Sequence, residues 1–443
     1  MTVIGIDDTD SRAGGMCTTY VAHRLITRLR DEEATPPAVR RPLLVRLNPA
    51  VEHKTRGNGA LAVQTTLDPD PAQSIATALI EELAVVDDPR TNPGVVLAPN
   101  GDWTALDPHD AVVAFARSAL TEQLTIADAE RVIEVAGYRA AGWGNGRGRI
   151  GALAAIGAMI ARQQSITEGV RALPPFDEWT YECLSYRERD RWGTPREVDG
   201  ASVRSAVEGA YPSVWDTIDS DGDELVCVPH TPCPILHGIR GDDPIQCERV
   251  ASAIESEPVA ARRLFVTNQG TDAHLQDGSS IDELGDRHAY RIDGTIDSAP
   301  ETKRGGHVFT TLMDETGTID CVAFAPTARF RAHVRKLRVG DDCTVCGEVS
   351  GGTLKLEKFA VRSLTETERV TPTCPDCARR MKSAGAGQGY RCRNCGTSAP
   401  GKVEQPIDRD LEEGWYEVPP SARRHVAKPL VRGGFDGVTH PER

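Results

Sequence analysis

Successive stretches of the chain differ in their pattern of hydrophobic and polar residues. In roughly the first 170 residues, short apolar runs alternate with segments whose apolar residues repeat at helical spacing, which is typical of an α/β domain. The predicted strands cover residues 3–6, 43–47, 60–66 and 94–97. The predicted helices cover residues 18–30, 69–86, 108–124, 126–136 and 150–162. We therefore expect an α/β domain over residues 1–172.

The next two stretches predict smaller domains. A strand, a Pro/Gly turn, a strand, a helix at 245–255 and a strand at 263–267 favour a ferredoxin-like α+β domain over residues 173–280. Residues 286–366 contain five short alternating segments with one helix, at 328–337, after the third, which is the element order of an OB-fold β-barrel. The five segments cover residues 289–296, 307–313, 319–325, 344–349 and 354–362. The pattern as a whole predicts a multidomain α/β and α+β protein.

Composition narrows the class of protein. The chain has 443 residues, 39% of them hydrophobic, and a net charge of −14. Lysine supplies only 8 of the 51 basic residues, and acidic, arginine-rich surfaces suit high salt, so we expect a halophilic origin. RNA binding at high salt must depend on stacking, shape and hydrogen bonds, because phosphate contacts are screened. With no apolar run long enough to cross a bilayer and no signal peptide before the first strand, we expect a cytoplasmic protein without membrane contact.

A candidate metal and nucleotide site lies at the end of the first predicted strand. Asp7, Asp8 and Asp10 follow this strand, and a glycine pair at 14–15 leads into a helix that begins near Thr18. Carboxylates at a strand end can hold Mg²⁺ together with substrate phosphates, and the start of a helix favours anions. The segment therefore predicts Mg²⁺-nucleotide chemistry. The alternatives are a solvated acidic turn and the Asp-x-Asp motif of aspartyl-phosphate phosphatases.

The loop after the second predicted strand has phosphate-binding character. Lys54, Arg56, Gly57 and Asn58 combine basic charge with a small residue that lets the backbone approach an anion. Lys54 is the only lysine before Lys303, and a compact ammonium suits phosphate. A mobile surface loop is the alternative.

A Gly-rich segment at 142–148 precedes the last predicted helix of the first domain. Gly144, Gly146 and Arg147 lie in this segment, which lacks a Walker A sequence. A phosphate-facing loop before a helix N-terminus and a flexible connector both fit it.

Four cysteines near the C-terminus have the spacing of a metal site. Fourteen residues separate the pair Cys374 and Cys377 from the pair Cys392 and Cys395. This spacing predicts a structural Zn²⁺ with four thiolate ligands, in a zinc ribbon over residues 370–400. An Fe–S cluster or redox pairs are the alternatives. Residues 401–443 form a charged tail.

A proline-rich segment of the second domain predicts a stiff turn. Three prolines within residues 229–234 fix the backbone and present His230 and Thr231. Cys233 lies between two of these prolines, where packing is a commoner role than nucleophilic catalysis.

In their order along the chain, these motifs resemble one family, the archaeal tRNA-Ile 2-agmatinylcytidine synthetases. The matching segments are residues 5–11, 15–20, 46–49, 54–60, 142–148, 193–196, 229–234, 238–241, 267–272 and 305–308, the four cysteines and residues 422–425. The resemblance implies a kinase-like catalytic domain, a ferredoxin-like agmatine-binding domain, an OB fold and a zinc ribbon. It implies that ATP drives the joining of agmatine to C2 of the wobble cytidine in the isoleucine tRNA with a CAU anticodon. Codon reading then changes from AUG to AUA.

The resemblance also implies a phosphorylated C2 oxygen as the intermediate and autophosphorylation at Thr18, and the other candidates are inferred from the chemistry of their side chains. The catalytic candidates are Thr18 and the metal-binding Asp7, Asp8 and Asp10. The ATP-binding candidates are Lys54, Arg56, Gly57, Asn58, Gly144, Gly146 and Arg147. A guanidinium prefers a bidentate carboxylate, and the agmatine-binding candidates are Glu182, Asp219 and Asp223. The expected cofactors are ATP, Mg²⁺ and structural Zn²⁺.

A non-catalytic single-strand nucleic-acid-binding protein is the second hypothesis. OB folds and zinc ribbons occur together in such proteins, but residues 1–280 would then have no role. The sequence leaves open the oligomeric state. It also leaves open how the isoleucine tRNA is distinguished from methionine tRNAs, which share its anticodon.

Overall fold

The computed structural model describes residues 1–11, 14–33, 41–52, 54, 57–99, 109–168 and 174–443. Arg56 lies outside the described residues. Up to residue 267, the described strands are β1 (Thr2–Asp7), β2 (Leu43–Arg46), β3 (Gly59–Thr65), β4 (Gly94–Ala98), β5 (Arg139–Gly142), β6 (Thr180–Arg187), β7 (Val214–Trp215), β8 (Ile235–Gly241) and β9 (Val259–Thr267). The helices of the same part are α1 (Thr18–Glu32), α2 (Pro69–Leu83), α3 (His109–Thr121), α4 (Ile126–Val135), α5 (Gly148–Glu168), α6 (Gly200–Glu208) and α7 (Pro244–Ala253).

These strands form one sheet in the order β5-β4-β1-β3-β2-β9-β6-β8-β7. In its first half all neighbouring strands are antiparallel. Because side chains alternate along each strand, one face packs against α1 and α2 and the other against α3, α4 and α5. The two halves join where β2 pairs in parallel with β9, through Leu43 with Val266 and Leu44 with Thr267. The strand ends of both halves therefore border a common region.

Strand β5 is absent from the sequence prediction. Its four residues are exposed or part-exposed and lack the alternation of apolar and polar positions that marks a half-buried strand. It pairs with β4 from Gly94 with Gly142 to Leu97 with Arg139. This pairing places the start of the Gly-rich segment beside the end of β1.

Small residues let α5 lie directly on β1. A Cβ added to Gly5 would lie 2.0 Å from the carbonyl oxygen of Ala152, so glycine is needed for this approach. A Cβ added to Gly151 would lie 2.0 Å from Oδ2 of Asp7. The start of α5 therefore fixes the end of β1, where Asp7 lies.

The second half of the sheet has the predicted ferredoxin-like arrangement. Its strands lie in the order β9-β6-β8-β7, and all neighbouring pairs are antiparallel. Helix α6 follows β6 and α7 follows β8, as a split βαβ fold requires. A fully buried ion pair, Arg187 Nε with Glu257 Oε1 at 2.6 Å, ties β6 to the segment before β9.

The predicted OB-fold barrel follows. Its strands and the short strands beside them are β10 (Leu275–Asp277), β11 (Ala289–Ile296), β12 (Glu301–Thr302), β13 (Val308–Met313), β14 (Thr318–Ala323), β15 (Asp342–Ser350) and β16 (Thr353–Ser363). The barrel closes through the pairs β11-β13, β13-β14, β14-β16, β16-β15 and β15-β11. Helix α8 (Ala328–Val334) follows β14, as expected, and its Phe330 is fully buried in the barrel core.

The remaining strands build the ribbon and attach the tail. They are β17 (Thr367–Val370), β18 (Lys382–Ser383), β19 (Tyr390–Arg391), β20 (Ser398–Ala399), β21 (Val403–Pro406), β22 (Gly414–Glu417) and β23 (Thr439–His440). Strands β18, β19 and β20 form a small sheet, and β22 pairs with barrel strand β16. Trp415 on β22 is 1% exposed, so the tail is anchored on the barrel. Among the helices of the described residues, none combines the length and the hydropathy that crossing a bilayer requires.

Candidate active site

A cavity of about 720 Å³ lies where three parts of the chain meet. The first domain contributes Asp10, residues 15–19 and Lys54, and the second contributes Glu182 and residues 226–231. Residues 420–426 of the tail also line the cavity. A concave site between domains is typical of ligand binding.

A smaller pocket of about 110 Å³ adjoins this cavity. Asp7, Asp8 and Arg147 line the smaller pocket, while Lys54 and Asn58 line both spaces. The fold therefore brings together candidates from the acidic segment, the Lys54 loop and the Gly-rich segment.

Asp7 and Asp8 have the environment of cation ligands. Asp8 has a φ of 58°, which turns the chain at the end of β1. Its Oδ2 accepts hydrogen bonds from Arg147 Nη2 at 2.8 Å and from the backbone N–H of Asn92 at 3.2 Å. Loss of hydration raises the pKa of Asp7 well above its ordinary value, and Asp8 raises it further. Adjacent carboxylates of this kind are stabilised in the ionised form by a bound cation, so the pair fits Mg²⁺.

Thr18 begins α1 at the wall of the larger cavity. The turn before it contains Gly15 and Met16 with φ of 82° and 61°. The hydroxyl groups of Thr9 and Thr18 are hydrogen-bonded at 3.1 Å. The cap residue is Cys17, whose sulfur is only a weak acceptor for the backbone N–H groups of the first turn, so this terminus suits an anion. Burial raises the pKa of the Cys17 thiol to about 12, so Cys17 is a poor nucleophile.

The Gly-rich segment positions Arg147. Gly144 and Gly146 have φ of 61° and 68°, a left-handed conformation that glycine adopts without strain. The turn is held where Oδ1 of Asn92 accepts a hydrogen bond from the N–H of Asn145 at 3.0 Å. Neither glycine is among the described residues that line the two spaces, and their contact with phosphate stays a prediction. Gly57, by contrast, lines the larger cavity.

Glu182 lies in the wall of the larger cavity within a network that the sequence did not predict. Arg240 Nε donates to its Oε1 at 3.2 Å, and Gln269 Nε2 donates to its Oε2 at 2.6 Å. Arg46 Nη2 lies 3.5 Å from Oε2. Burial alone would raise the pKa of Glu182, but these partners bring it below its ordinary value. Glu182 is thus ionised and already balanced by two guanidinium groups, and its contact with agmatine stays a prediction.

The other two agmatine candidates are outside the described lining of this cavity. Asp219 is 2% exposed and accepts hydrogen bonds from Arg329 Nη1 at 3.0 Å and Ser421 Oγ at 2.5 Å. Asp223 is exposed and pairs with Arg204. Neither lines the larger cavity among the described residues. The structure connects Asp219 to the barrel and the tail, and a role in agmatine binding stays a prediction for both.

Residues 420–426 of the tail close one side of the larger cavity. Arg423 pairs with Asp216 of the second domain, and Arg424 pairs with Glu348 of the barrel. The family resemblance covers residues 422–425, but no local pattern indicated that they reach the site. Their place depends on contacts with distant parts of the chain.

The proline-rich segment forms the wall next to the turn before Thr18. A Cβ added to Gly15 would lie 2.1 Å from the carbonyl oxygen of Pro232, so the two segments touch. His230 Nε2 lies 3.0 Å from Glu224 Oε1, and both side chains line the larger cavity. Cys233 is 7% exposed, in agreement with a packed thiol.

The four cysteines come together as predicted. The Sγ atoms of Cys374, Cys377, Cys392 and Cys395 all lie within 4.8 Å of one another. Each CxxC pair ends in a tight turn in which a backbone N–H donates to the first cysteine's carbonyl oxygen at 2.9 Å. Four thiolates at this separation fit a tetrahedral Zn²⁺ of structural type.

A second cluster of side chains that could bind a metal ion contacts a lysine ammonium instead. Asp272, His274 and Glu357 present oxygen and nitrogen atoms within 4.8 Å of one another. The ammonium of Lys358 lies 2.7 Å and 2.6 Å from the two carboxylate oxygens of Asp272. Because Lys358 is paired with Asp272, and His274 Nε2 lies 3.1 Å from Glu357 Oε1, the cluster is a junction of paired side chains between the second domain and the barrel.

Family models match most of the chain. Residues 3–145 match the TiaS TCKD domain and residues 146–274 match the TiaS FLD domain. Residues 290–356 match an OB-fold nucleic acid binding domain, and residues 371–411 match the TiaS C-terminal zinc ribbon domain. The predicted OB fold and zinc ribbon are thereby confirmed.

The chain is also similar over its length to curated proteins and solved structures. It is 51% identical to the isoleucine-tRNA 2-agmatinylcytidine synthetase TiaS of Haloquadratum walsbyi, with 100% of both chains covered. It is 46% identical to that of Methanosarcina mazei, with 97% of each covered. A crystal structure of TiaS in complex with its isoleucine tRNA and ATP is 38% identical, with a TM-score of 0.85 over 100% of this chain and 99% of the other. A complex of TiaS with the same tRNA, AMPCPP and agmatine is 35% identical, with a TM-score of 0.83 over the same shares.

Proposed function

Because the chain belongs to the TiaS family of isoleucine-tRNA 2-agmatinylcytidine synthetases, we propose that it joins agmatine to C2 of the wobble cytidine of the isoleucine tRNA with a CAU anticodon at the expense of ATP. This tRNA then reads AUA instead of AUG. The observation that carries this proposal is the larger cavity, where Asp10 and Thr18 of the first domain face Glu182 of the second.

The reaction needs activation because a ring carbonyl oxygen is a poor leaving group. We propose that the γ-phosphoryl group of ATP moves to the C2 oxygen of the cytidine. The primary amine of agmatine then attacks C2, the C2–O bond breaks, and phosphate leaves with that oxygen while the amine gives up a proton. Such chemistry depends on positioning and on compensation of phosphate charge.

The smaller pocket is the proposed nucleotide side of the site. Asp7, Asp8 and Asp10 are the residues that would hold Mg²⁺, which would neutralise phosphate charge. Arg147 holds Asp8 in place through their hydrogen bond at 2.8 Å. Lys54 lines both spaces, which supports a contact between its ammonium and phosphate at the boundary between them.

Thr18 is the proposed acceptor of a phosphoryl group in a kinase-like first domain. Its hydroxyl lies at the start of the 15-residue helix α1, where backbone N–H groups and the helix dipole favour a phosphate. The contact with the hydroxyl of Thr9 orients the side chain beside the larger cavity. The O–P bond forms as a P–O bond of ATP breaks, the remaining nucleotide leaves, and the hydroxyl proton is released.

Glu182 is the proposed carboxylate for agmatine, since it lines the larger cavity and Asp219 and Asp223 do not. A carboxylate offers about four acceptor positions. Arg240, Arg46 and Gln269 occupy part of this capacity, so one cationic end of agmatine would share the carboxylate with them.

The direct test is incubation of the purified protein at high salt with ATP, agmatine and the unmodified isoleucine tRNA, followed by mass spectrometry of the nucleosides. The expected product is cytidine that has gained agmatine and lost water, only when ATP is present. A methionine tRNA with the same anticodon is the control and should stay unmodified. tRNA binding without this mass gain would favour a non-catalytic nucleic-acid-binding protein. Phosphate release without tRNA or agmatine would favour a phosphatase.

We propose the cytoplasm as the place of action, because the substrate tRNA is used there in translation. The acidic, arginine-rich composition supports activity at high salt. The enzymatic activity should therefore rise as the KCl concentration is increased towards the molar range.

A further inference from the structure

Residues 229–235 comprise the proline-rich segment and Ile235, and they lie in the cavity wall. Their shape depends on a hydrogen-bond donor from outside the segment. Pro229, Pro232 and Pro234 have no backbone N–H, so this segment cannot form a regular hydrogen-bond ladder. Its carbonyl groups still need partners where water is partly excluded.

Arg196 supplies these partners through a single guanidinium group. Its Nε donates to the carbonyl oxygen of Ile235 at 2.8 Å, and its Nη1 donates to that of Pro229 at 2.6 Å. Its Nη2 donates to the carbonyl oxygens of Thr231 at 2.8 Å and Cys233 at 3.1 Å. The four bonds extend from the first residue of the segment to the last, so this one side chain contacts its whole length. Two backbone hydrogen bonds add to them, from Arg187 N–H to the carbonyl oxygen of Pro234 and from Cys233 N–H to that of Thr231, both at 2.8 Å.

The segment held by Arg196 contacts the turn that leads to Thr18. A Cβ added to Gly15 would lie 2.1 Å from the carbonyl oxygen of Pro232, which leaves no free space between them. His230 and Thr231 of the same segment line the larger cavity. The width of the cavity beside Thr18 is therefore set by the position of this segment. Reacting groups must be placed to within about 1 Å, because an error of that size can cost about 100-fold in rate.

We propose that Arg196 is a positioning residue for the addition of agmatine, acting through residues 229–235. This inference rests on the proposed function of the larger cavity. Nucleotide binding should depend little on Arg196, because Asp7, Asp8 and Arg147 line the smaller pocket, whose lining includes none of residues 229–235. Lysine cannot replace Arg196, since its single ammonium lacks the planar fork that reaches four carbonyl groups.

An arginine other than Arg196 stabilises the second domain. Arg187 forms the buried ion pair with Glu257, with both side chains 0% exposed. Arg196 is part-exposed, and three of its four carbonyl partners, those of Pro229, Thr231 and Cys233, lie before the first residue of β8. Loss of Arg196 should therefore alter the cavity wall and leave the sheet intact.

The test compares Arg196→Lys and Arg196→Ala with wild type, and uses Arg249→Lys, an exposed position on α7, as the matched control. The measurements are kcat and KM for agmatine, the dissociation constant of ATP, and the melting temperature. For both Arg196 variants we expect kcat/KM for agmatine to fall by about 100-fold. ATP affinity should change by less than about twofold, and the control should match wild type throughout.

Chemical rescue separates positioning from stability. Methylguanidinium should restore part of the activity of Arg196→Ala, while methylammonium should not. The activity of wild type in the presence of each additive corrects for competition between that additive and agmatine. Unchanged kcat/KM for agmatine in Arg196→Lys would overturn the proposal, as would a joint loss of ATP affinity and melting temperature without rescue. If wild type itself joined no agmatine to tRNA, the proposed function would fail first.

Discussion

Replacement of Gly151 by alanine tests whether Asp7 belongs to the nucleotide site. Gly151 lies in the first turn of α5, and a Cβ there would lie 2.0 Å from Oδ2 and 2.6 Å from Cγ of Asp7. Ordinary contact begins at 3.4 Å, so the carboxylate would have to withdraw by about 1.4 Å. A side-chain rotation of Asp7 would also remove the carboxylate from its place in the smaller pocket.

Two effects of this substitution oppose each other. Alanine is favoured over glycine inside a helix by about 1 kcal/mol, so α5 itself gains stability. Displacement of a group that orients reactants by about 1 Å costs about 100-fold in rate. Because the helical gain offsets part of the strain, we expect a folded protein whose ATP-dependent ligation is about 100-fold slower.

The assay measures kcat for agmatine ligation, ATP affinity and the melting temperature. Gly157→Ala is the matched control in the same helix, where the added Cβ would lie 2.3 Å from the carbonyl oxygen of Val112 and far from Asp7. The control should melt at a lower temperature and keep its ATP affinity. Wild-type kcat and ATP affinity in Gly151→Ala would refute the assignment of Asp7 to the site.

Three further perturbations separate the roles of individual groups. Thr18→Ala should abolish transfer of labelled phosphate from ATP to the protein, whereas Thr18→Ser should keep part of it; equal labelling of wild type and Thr18→Ala would contradict the assignment. Glu182→Gln leaves Arg46 and Arg240 without their counter-charge and should cost about 3 kcal/mol in denaturant unfolding, against almost nothing for exposed Glu82→Gln. The folded state lowers the pKa of Glu182, so ionised Glu182 stabilises the protein fully above its ordinary pKa, and this stabilisation is lost as pH falls through the lowered pKa. The free energy of unfolding of Glu182→Gln should therefore fall less steeply than that of wild type as the pH is lowered. Chelation of zinc should unfold the ribbon and weaken tRNA binding without a change in ATP affinity; unchanged tRNA affinity would contradict this.

The hydrophobic pattern and the cysteine spacing predicted the domains whose contacts join residues close in sequence. The alternating segment at 289–296 coincides with β11, and the two CxxC pairs form one cluster. The connection between the first two domains could not be predicted, because β2 and β9 pair across more than two hundred residues of chain. Strand β5 was missed because partner strand β4, and not its own sequence, makes it a strand.

Only part of the candidate site could be predicted, because its other contacts also join residues far apart in sequence. Asp7 and Asp8 were found from their position after a strand, and Lys54 from its rarity in the chain. The partners of Glu182 could not be found, since Arg46 and Gln269 are 223 positions apart and have no local motif in common. Arg196 lies in a recognised segment, but its role became visible only when the four carbonyl groups around it were known.

The mass of the wobble nucleoside tests the central claim most directly. The isoleucine tRNA with a CAU anticodon is incubated with the protein, ATP and isotope-labelled agmatine, digested, and sequenced by tandem mass spectrometry. We expect the label on the first anticodon position alone, and only with ATP. An unchanged wobble cytidine, with ATP, agmatine and tRNA all bound, would contradict the proposed function.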